Sequence, residues 1–171
     1  LDIHYGRKIS IHTKDIYQKV VIEKRGGFCY ELNGLFHQLL MRIGFKAKLV
    51  SARVHMKNGE YSPEYDHLAI IVTLENQEYL VDVGFGKFSL EPLKIETKRK
   101  INDSFGQFQF DKYNSNFFRI NELINNELIP QYIFKTDACQ LSEFKERSEF
   151  HQTSEASHFT KKKLISIAKE N

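Results

Sequence analysis

Arg25-Gly26-Gly27-Phe28-Cys29-Tyr30-Glu31-Leu32-Asn33 delivers a cysteine, directly behind two glycines and a phenylalanine, to the head of a run with helical spacing. Leu32, Leu35, Phe36, Leu39, Leu40 and Ile43 fall at three- and four-residue intervals, which predicts a helix from Cys29 to Ile43 with one apolar face. Gly44 stops it. The position matters because the unpaired N–H groups and positive dipole end of a helix favour a thiolate over a thiol. Gly26 and Gly27 keep side chains away from whatever approaches the sulfur. Alone, a cysteine carries no more than this, since an isolated one commonly serves as a small buried hydrophobe.

Two further stretches supply partners. His67 opens His67-Leu-Ala-Ile-Ile-Val-Thr-Leu74, which reads as a buried strand, and Asp82 closes a second strand, Tyr79-Leu-Val-Asp82. The polar turn Glu75-Asn76-Gln77 makes the pair an antiparallel hairpin, whose open end brings His67 and Asp82 near each other. Cys29, His67 and Asp82 thereby offer a nucleophile, a base and an orienting carboxylate, the roles a catalytic triad requires. Spacing leaves the reaction open, because a cysteine, histidine, aspartate order also suits papain-like proteases and transglutaminase-like enzymes.

Outward from these residues the chain reads as helices followed by antiparallel strands, class α+β. Thr13 is read as the N-cap of a helix with Ile16, Tyr17, Val20 and Val21 on its apolar side, ending at Lys24 and Arg25. Arg25 and Glu31 are expected to pair with each other or with the loop backbone, fixing the loop around the cysteine. Lys46–Val54 reads as a strand, His55 as a surface or supporting residue, and Met56–Asp66 as a loop leading into His67. Leu90–Ile95, Phe105–Asp111, Asn116–Leu123 and Ile129–Lys135 read as further strands of a small barrel or sandwich, with the basic run Lys94–Lys100 as a solvated turn. Thr136 or Asp137 is expected to cap a last helix, Ala138–Phe150, on which Cys139 is inert; Lys161-Lys162-Lys163 then precedes a strand at Leu164–Ala168.

Arg25 to Gly34, His67 before an aliphatic strand, and Tyr79-Leu-Val-Asp-Val-Gly-Phe-Gly86 together resemble the arylamine N-acetyltransferase family, in order and in local sequence. The likeness continues more faintly to about Phe159. It implies a cysteine-protease-like core, with N-terminal helices carrying the nucleophile packed on an antiparallel β-barrel or sandwich and part of a C-terminal α/β lid. The corresponding division is 1–45 helical and truncated at its start, 46–135 antiparallel β, and 136–171 the start of the lid. Both ends of the usual family chain are expected to be missing. The resemblance also implies transfer of an acetyl group from acetyl-CoA, as cosubstrate, through an acetyl-cysteine to an arylamine, arylhydrazine or N-hydroxyarylamine. Phe28 and Phe85 would line the acceptor pocket. Gly86, Thr153 and Ser157 would contact coenzyme A, as would the loop matching Met56–Asp66. Family members usually have proline where this chain has Glu155, a change that alters the shape of the 151–159 segment. Readings that stay open are a thiol hydrolase, a transglutaminase-like or amide-forming acyl transferase with the same trio, and a catalytically silent binding module.

Composition excludes more than it selects. With 171 residues, 41% hydrophobic and a net charge of +3, the chain holds enough for a real core, and its charge is too weak to indicate nucleic acid yet compatible with polyanionic coenzyme A. No apolar run approaches the roughly 20 residues a bilayer requires, and no signal-peptide pattern opens the sequence. Only Cys29 and Cys139 occur, one of them placed for reaction, so a structural disulfide is not expected and a cytoplasmic, reducing compartment is. No metal is expected.

Overall fold

The computed structural model describes residues 1–163, and the strand expected at Leu164–Ala168 lies outside them. Helices lead: α1 (Thr13–Tyr17) runs on into a π-helical turn, Gln18–Ile22, and α2 (Cys29–Arg42) follows the glycine pair. Gly44, at φ +96°, turns the chain out of α2 as its position in the sequence suggests. Strands β1 (Lys46–Val54), β2 (His67–Leu74), β3 (Gln77–Val81), β4 (Leu93–Lys94), β5 (Lys100–Asp103), β6 (Gly106–Lys112), β7 (Phe118–Ile124) and β8 (Glu127–Phe134) form one sheet in the order β4-β3-β2-β1-β8-β7-β6-β5. Every neighbouring pair is antiparallel. The sheet curls until the chain beyond β4 meets β6, where Thr97 bridges Phe110 and the Lys98 N–H donates to the Phe110 carbonyl at 2.8 Å. The result is an α+β fold with a nearly closed barrel.

β2 explains how the parts join. Its first six residues are buried without interruption, because both faces are covered. Ala69 and Ile71 point into the barrel with Val50, Ala52, Leu80, Phe108, Phe110 and Phe134. Leu68, Ile70 and Val72 face the other way, against Phe28, Tyr30 and Leu40 of the helical layer and against Phe144. A strand covered on both sides reads as a continuous apolar run, as this one does. A 3₁₀ turn at Leu141–Phe144, then α3 (Lys145–Thr153) and α4 (His158–Lys161), close the described chain over this outer face. Among the described residues no helix is long and apolar enough to cross a membrane.

Several local expectations are corrected. His12 is the N-cap of α1 and Thr13 its first residue; Tyr17 and Val21, read as apolar-facing, are 49% and 46% exposed. On α2, Leu39 and Ile43 face outward while Glu31, Asn33 and Gly34 are buried, so the inner face is partly polar. Only Leu93–Lys94 of the Leu90–Ile95 stretch enters the ladder. The basic run is not simply a turn, since Lys100 opens β5 and Lys94 belongs to β4. The helix expected from Ala138 starts later, because Cys139 is held in a backbone bridge to Leu49, its N–H donating to the Leu49 carbonyl at 2.9 Å.

Candidate active site

The hairpin sets the geometry. Glu75 and Asn76 both adopt positive φ between the paired Leu74 and Gln77, a two-residue turn whose twist suits the strands. The register pairs Ile70 with Val81, so Asp82 falls opposite Ala69, two residues from His67 and on the same barrel-facing side. His67 Nε2 donates to Asp82 Oδ2 at 2.7 Å, with both residues buried. Cys29, the first residue of α2, brings its sulfur to the same ring, where its charge acts on His67.

Asp82 is saturated with donors. Beyond His67, its oxygens accept from Asn33 Nδ2 at 2.8 Å, the Gly84 N–H at 2.9 Å and the Tyr132 hydroxyl at 2.9 Å. Asn33 lies one turn after Cys29, fully buried, and also donates to the Leu68 carbonyl at 2.6 Å while accepting the Val83 N–H at 2.9 Å. One amide therefore ties the cysteine's helix to the strand of the histidine and to the loop of the aspartate. Gly84 is needed at its place, because a Cβ there would sit 2.7 Å from the Cys29 Cα.

Electrostatics follow from this packing. Burial alone would lower the pKa of His67, but the Asp82 carboxylate and the Cys29 sulfur beside it push it up to about 10. Burial would raise Asp82, yet the His67 ring, with hydrogen bonds from Asn33 and Gly84, holds it below the usual carboxylate range. Tyr132 is driven well above its ordinary value by burial and then by Asp82, so its hydroxyl stays a donor. An imidazole held between a carboxylate and a sulfur can take the thiol proton as base and, in the charged form the carboxylate stabilises, return a proton as acid.

The helix head rests on a buried ionic group. Glu31 reaches back to accept the Phe28 N–H at 2.9 Å through Oε2, while Oε1 meets Lys19 Nζ at 2.6 Å. Lys19 also meets Asp2 at 2.7 Å, and Arg25 pairs with Asp2. Of the two expected arrangements, Glu31 takes the loop backbone and does not pair with Arg25, which pairs with Asp2 instead.

The Phe85 ring lies 5.0 Å from His67 and 4.9 Å from Tyr132, edge to face. Phe28 is 3% exposed, its ring 4.9 Å from that of Phe159. Gly86 is exposed at φ +85° with open space around it. Thr153 is exposed, its hydroxyl donating to the Glu149 carbonyl at 2.9 Å. Ser157 is buried; its hydroxyl caps α4 by accepting the Phe159 N–H at 3.3 Å and lies 3.1 Å from His151 Nδ1. His55 bridges Tyr61 by backbone.

Sequence reading left several supports unassigned. Tyr132 and Lys19 sit inside elements that were read as strand and helix without any local mark of a polar role. Asp66, directly before His67, accepts from Arg147 and from His151 Nε2 at 3.0 Å, and the Tyr30 hydroxyl donates to its carbonyl at 2.9 Å. Burial would raise Asp66, but His151 and Arg147 hold it at about 2. None of these contacts has a sequence signature, since the partners come from distant segments.

A family model described as N-acetyltransferase matches residues 1–171. The chain is similar to arylamine N-acetyltransferase 2 of Rattus norvegicus, at 28% identity over 98% of this chain and 64% of that protein. It is similar to the arylamine N-acetyltransferase of Escherichia coli K12, at 36% identity over 56% of this chain and 34% of that one. Among solved structures, the Mycobacterium marinum arylamine N-acetyltransferase in complex with CoA superposes with a TM-score of 0.85 and 26% identity, over 93% of this chain and 60% of that one. The chain therefore spans a little under two thirds of the length of the rat and Mycobacterium marinum proteins.

Proposed function

The chain belongs to the arylamine N-acetyltransferase family, and from that premise we propose that it transfers an acetyl group from acetyl-CoA to an arylamine, arylhydrazine or N-hydroxyarylamine by way of an acetyl-cysteine. The observation that carries this reading is the His67 ring held at 2.7 Å by Asp82, with the Cys29 sulfur, at a helix start, acting on the same ring. Asp82 keeps Nε2 protonated, so Nδ1 is the nitrogen that takes the thiol proton. The Cys29 thiolate attacks the thioester carbonyl, and the tetrahedral oxyanion collapses as the C–S bond to coenzyme A breaks. The proton on His67 goes to the departing sulfur. An amine then attacks the acetyl-cysteine, His67 takes its proton, and the thiolate is regenerated.

Oxyanion donors come from the same helix end. The N–H groups of Glu31 and Leu32 bond back to the Phe28 carbonyl at 3.0 and 2.9 Å, and those of Cys29 and Tyr30, at the head of the helix, are assigned as the oxyanion donors. Each well-aimed donor contributes roughly 3 kcal/mol. Phe85, edge-on to His67, supplies an aromatic wall for the acceptor, with Phe28 behind the cysteine. Gly86 and Thr153, both exposed, are assigned to coenzyme A, with Ser157 shaping the segment through its cap on α4. A cytoplasmic setting suits two free cysteines.

The test is an intact-mass measurement after incubation with acetyl-CoA and no acceptor, alongside C29S. A single acetyl addition in the parent protein, absent from C29S, is the expected result. No addition with no release of free coenzyme A would overturn the reading, and release without a trapped adduct would identify a hydrolase instead.

A further inference from the structure

We propose that Lys19 is a positioning residue for Cys29, balancing two carboxylates buried beneath the head of α2 so that the thiolate is not opposed by an uncompensated negative charge. The inference builds on the acetyl-cysteine reading above but concerns the sulfur before any acyl donor arrives. The Lys19 ammonium lies 2.6 Å from Glu31 and 2.7 Å from Asp2, with side chains 11%, 1% and 6% exposed. Arg25 completes the group by pairing with Asp2, so two cations face two anions. The open recess beside them, about 220 Å³, adds Arg7, Lys8, Asp15 and Glu23, again two of each sign. Lys19 is thus the charge that brings the helix head to neutrality.

Local structure shows what is given up to place it. The turn Gln18–Ile22 is wound as a π-helix, a rare geometry that recurs at functional sites. In it Lys19 is buried while Val21 and Ile22 are 46% and 54% exposed, the reverse of the usual preference. On the other side of the pair, Glu31 fills the space a side chain at residue 27 would occupy, since a Cβ on Gly27 would sit 2.5 Å from Glu31 Oε2. That carboxylate is also the acceptor for the Phe28 N–H, immediately before the nucleophile. Without Lys19, Glu31 would carry an unbalanced charge two residues from Cys29 and offset the helix dipole that favours the thiolate. Among the described residues, His67 and Tyr30 are titratable groups whose charges act on the sulfur.

The experiment reads thiolate availability directly, by peptide-resolved iodoacetamide labelling of Cys29 across pH in the wild type, K19M, E31Q and K19M/E31Q. K19M is expected to label about tenfold more slowly near neutral pH and at the wild-type rate in strong alkali. The side-chain amide that E31Q introduces still offers a carbonyl oxygen to the Phe28 N–H without a charge, so K19M/E31Q is expected to return to within about twofold of wild type. E31Q alone should label at least as fast as wild type. Wild-type labelling by K19M, a slow double variant, or a slow E31Q would each overturn the proposal and leave Lys19 a packing role. Labelling needs no acetyl-CoA, so a protein that forms no acetyl adduct yet follows this pattern would defeat the transferase reading and keep the positioning role.

Discussion

Two carboxylates flank His67, and they are neutralised in opposite ways. Beyond His67, Asp82 takes its hydrogen bonds from an amide, a backbone N–H and a phenol, none of them charged, so among the described residues His67 is the only cation bonded to it. Asp66, one residue before His67 in the chain, is held by the Arg147 guanidinium and the His151 ring. Its charge is consumed by a permanent cation, whereas that of Asp82 is stabilised by dipoles and left for the imidazole. A carboxylate solvated by neutral donors can support a charge that comes and goes during a reaction. One locked to arginine can only hold two segments together.

Replacing each carboxylate by its amide separates the two roles most sharply. D82N is expected to lower kcat by a factor on the order of 10³–10⁴, because the ring loses the partner that sets its tautomer and stabilises its charged form. Circular dichroism and a thermal melt check that the fold persists. A loss under about tenfold would place Asp82 in the same structural class as Asp66. Y132F tests the neutral donors: it removes the 2.9 Å hydroxyl bond but leaves Asp82 with Asn33, Gly84 and His67. The expected cost is about 1–2 kcal/mol of stability and roughly tenfold in kcat, read from melts and steady-state rates. A loss equal to that of D82N would make the phenol part of the reacting group.

The same contrast explains what could be read from sequence. Cys29, His67 and Asp82 were legible because each is announced locally, by a glycine pair before a helix, by the first residue of an aliphatic run, and by a hairpin whose turn sets the spacing. The barrel was legible as strands at regular intervals, and its short β5 was not, because Lys100–Asp103 alternates charged and polar residues with a single isoleucine. Tyr132 was seen only as part of a strand; nothing near it tells that its hydroxyl meets a carboxylate 50 residues earlier. Arg147 and His151 reach Asp66 across 81 and 85 residues. Lys19 escaped for another reason: an α-helical reading of 13–25 cannot foresee a π turn that brings a lysine inward and turns Val21 out. Contacts set by local periodicity leave a pattern in the sequence, and those set by tertiary closure do not.

The smallest effect is expected from D66N, and its pH dependence is the finer test. The pKa of Asp66 in the folded protein, about 2, lies below that of an unfolded aspartate near 4, so its contribution to stability is complete above the unfolded value and disappears as pH falls through about 2. That depression corresponds to about 2 kcal/mol, in line with the loss of a charged hydrogen bond in a partly buried pair. D66N should therefore melt several degrees below the wild type near neutral pH, by roughly 4–8 °C, with the two curves converging as pH approaches 2. Since the carboxylate touches Arg147 and His151 and not the His67 ring, kcat at neutral pH should fall by less than about threefold. A D66N protein that kept its melting temperature but lost activity as severely as D82N would show that the charge beside His67 in the chain acts on the ring after all. The distinction between a carboxylate held by dipoles and one held by arginine would then no longer separate catalysis from scaffolding.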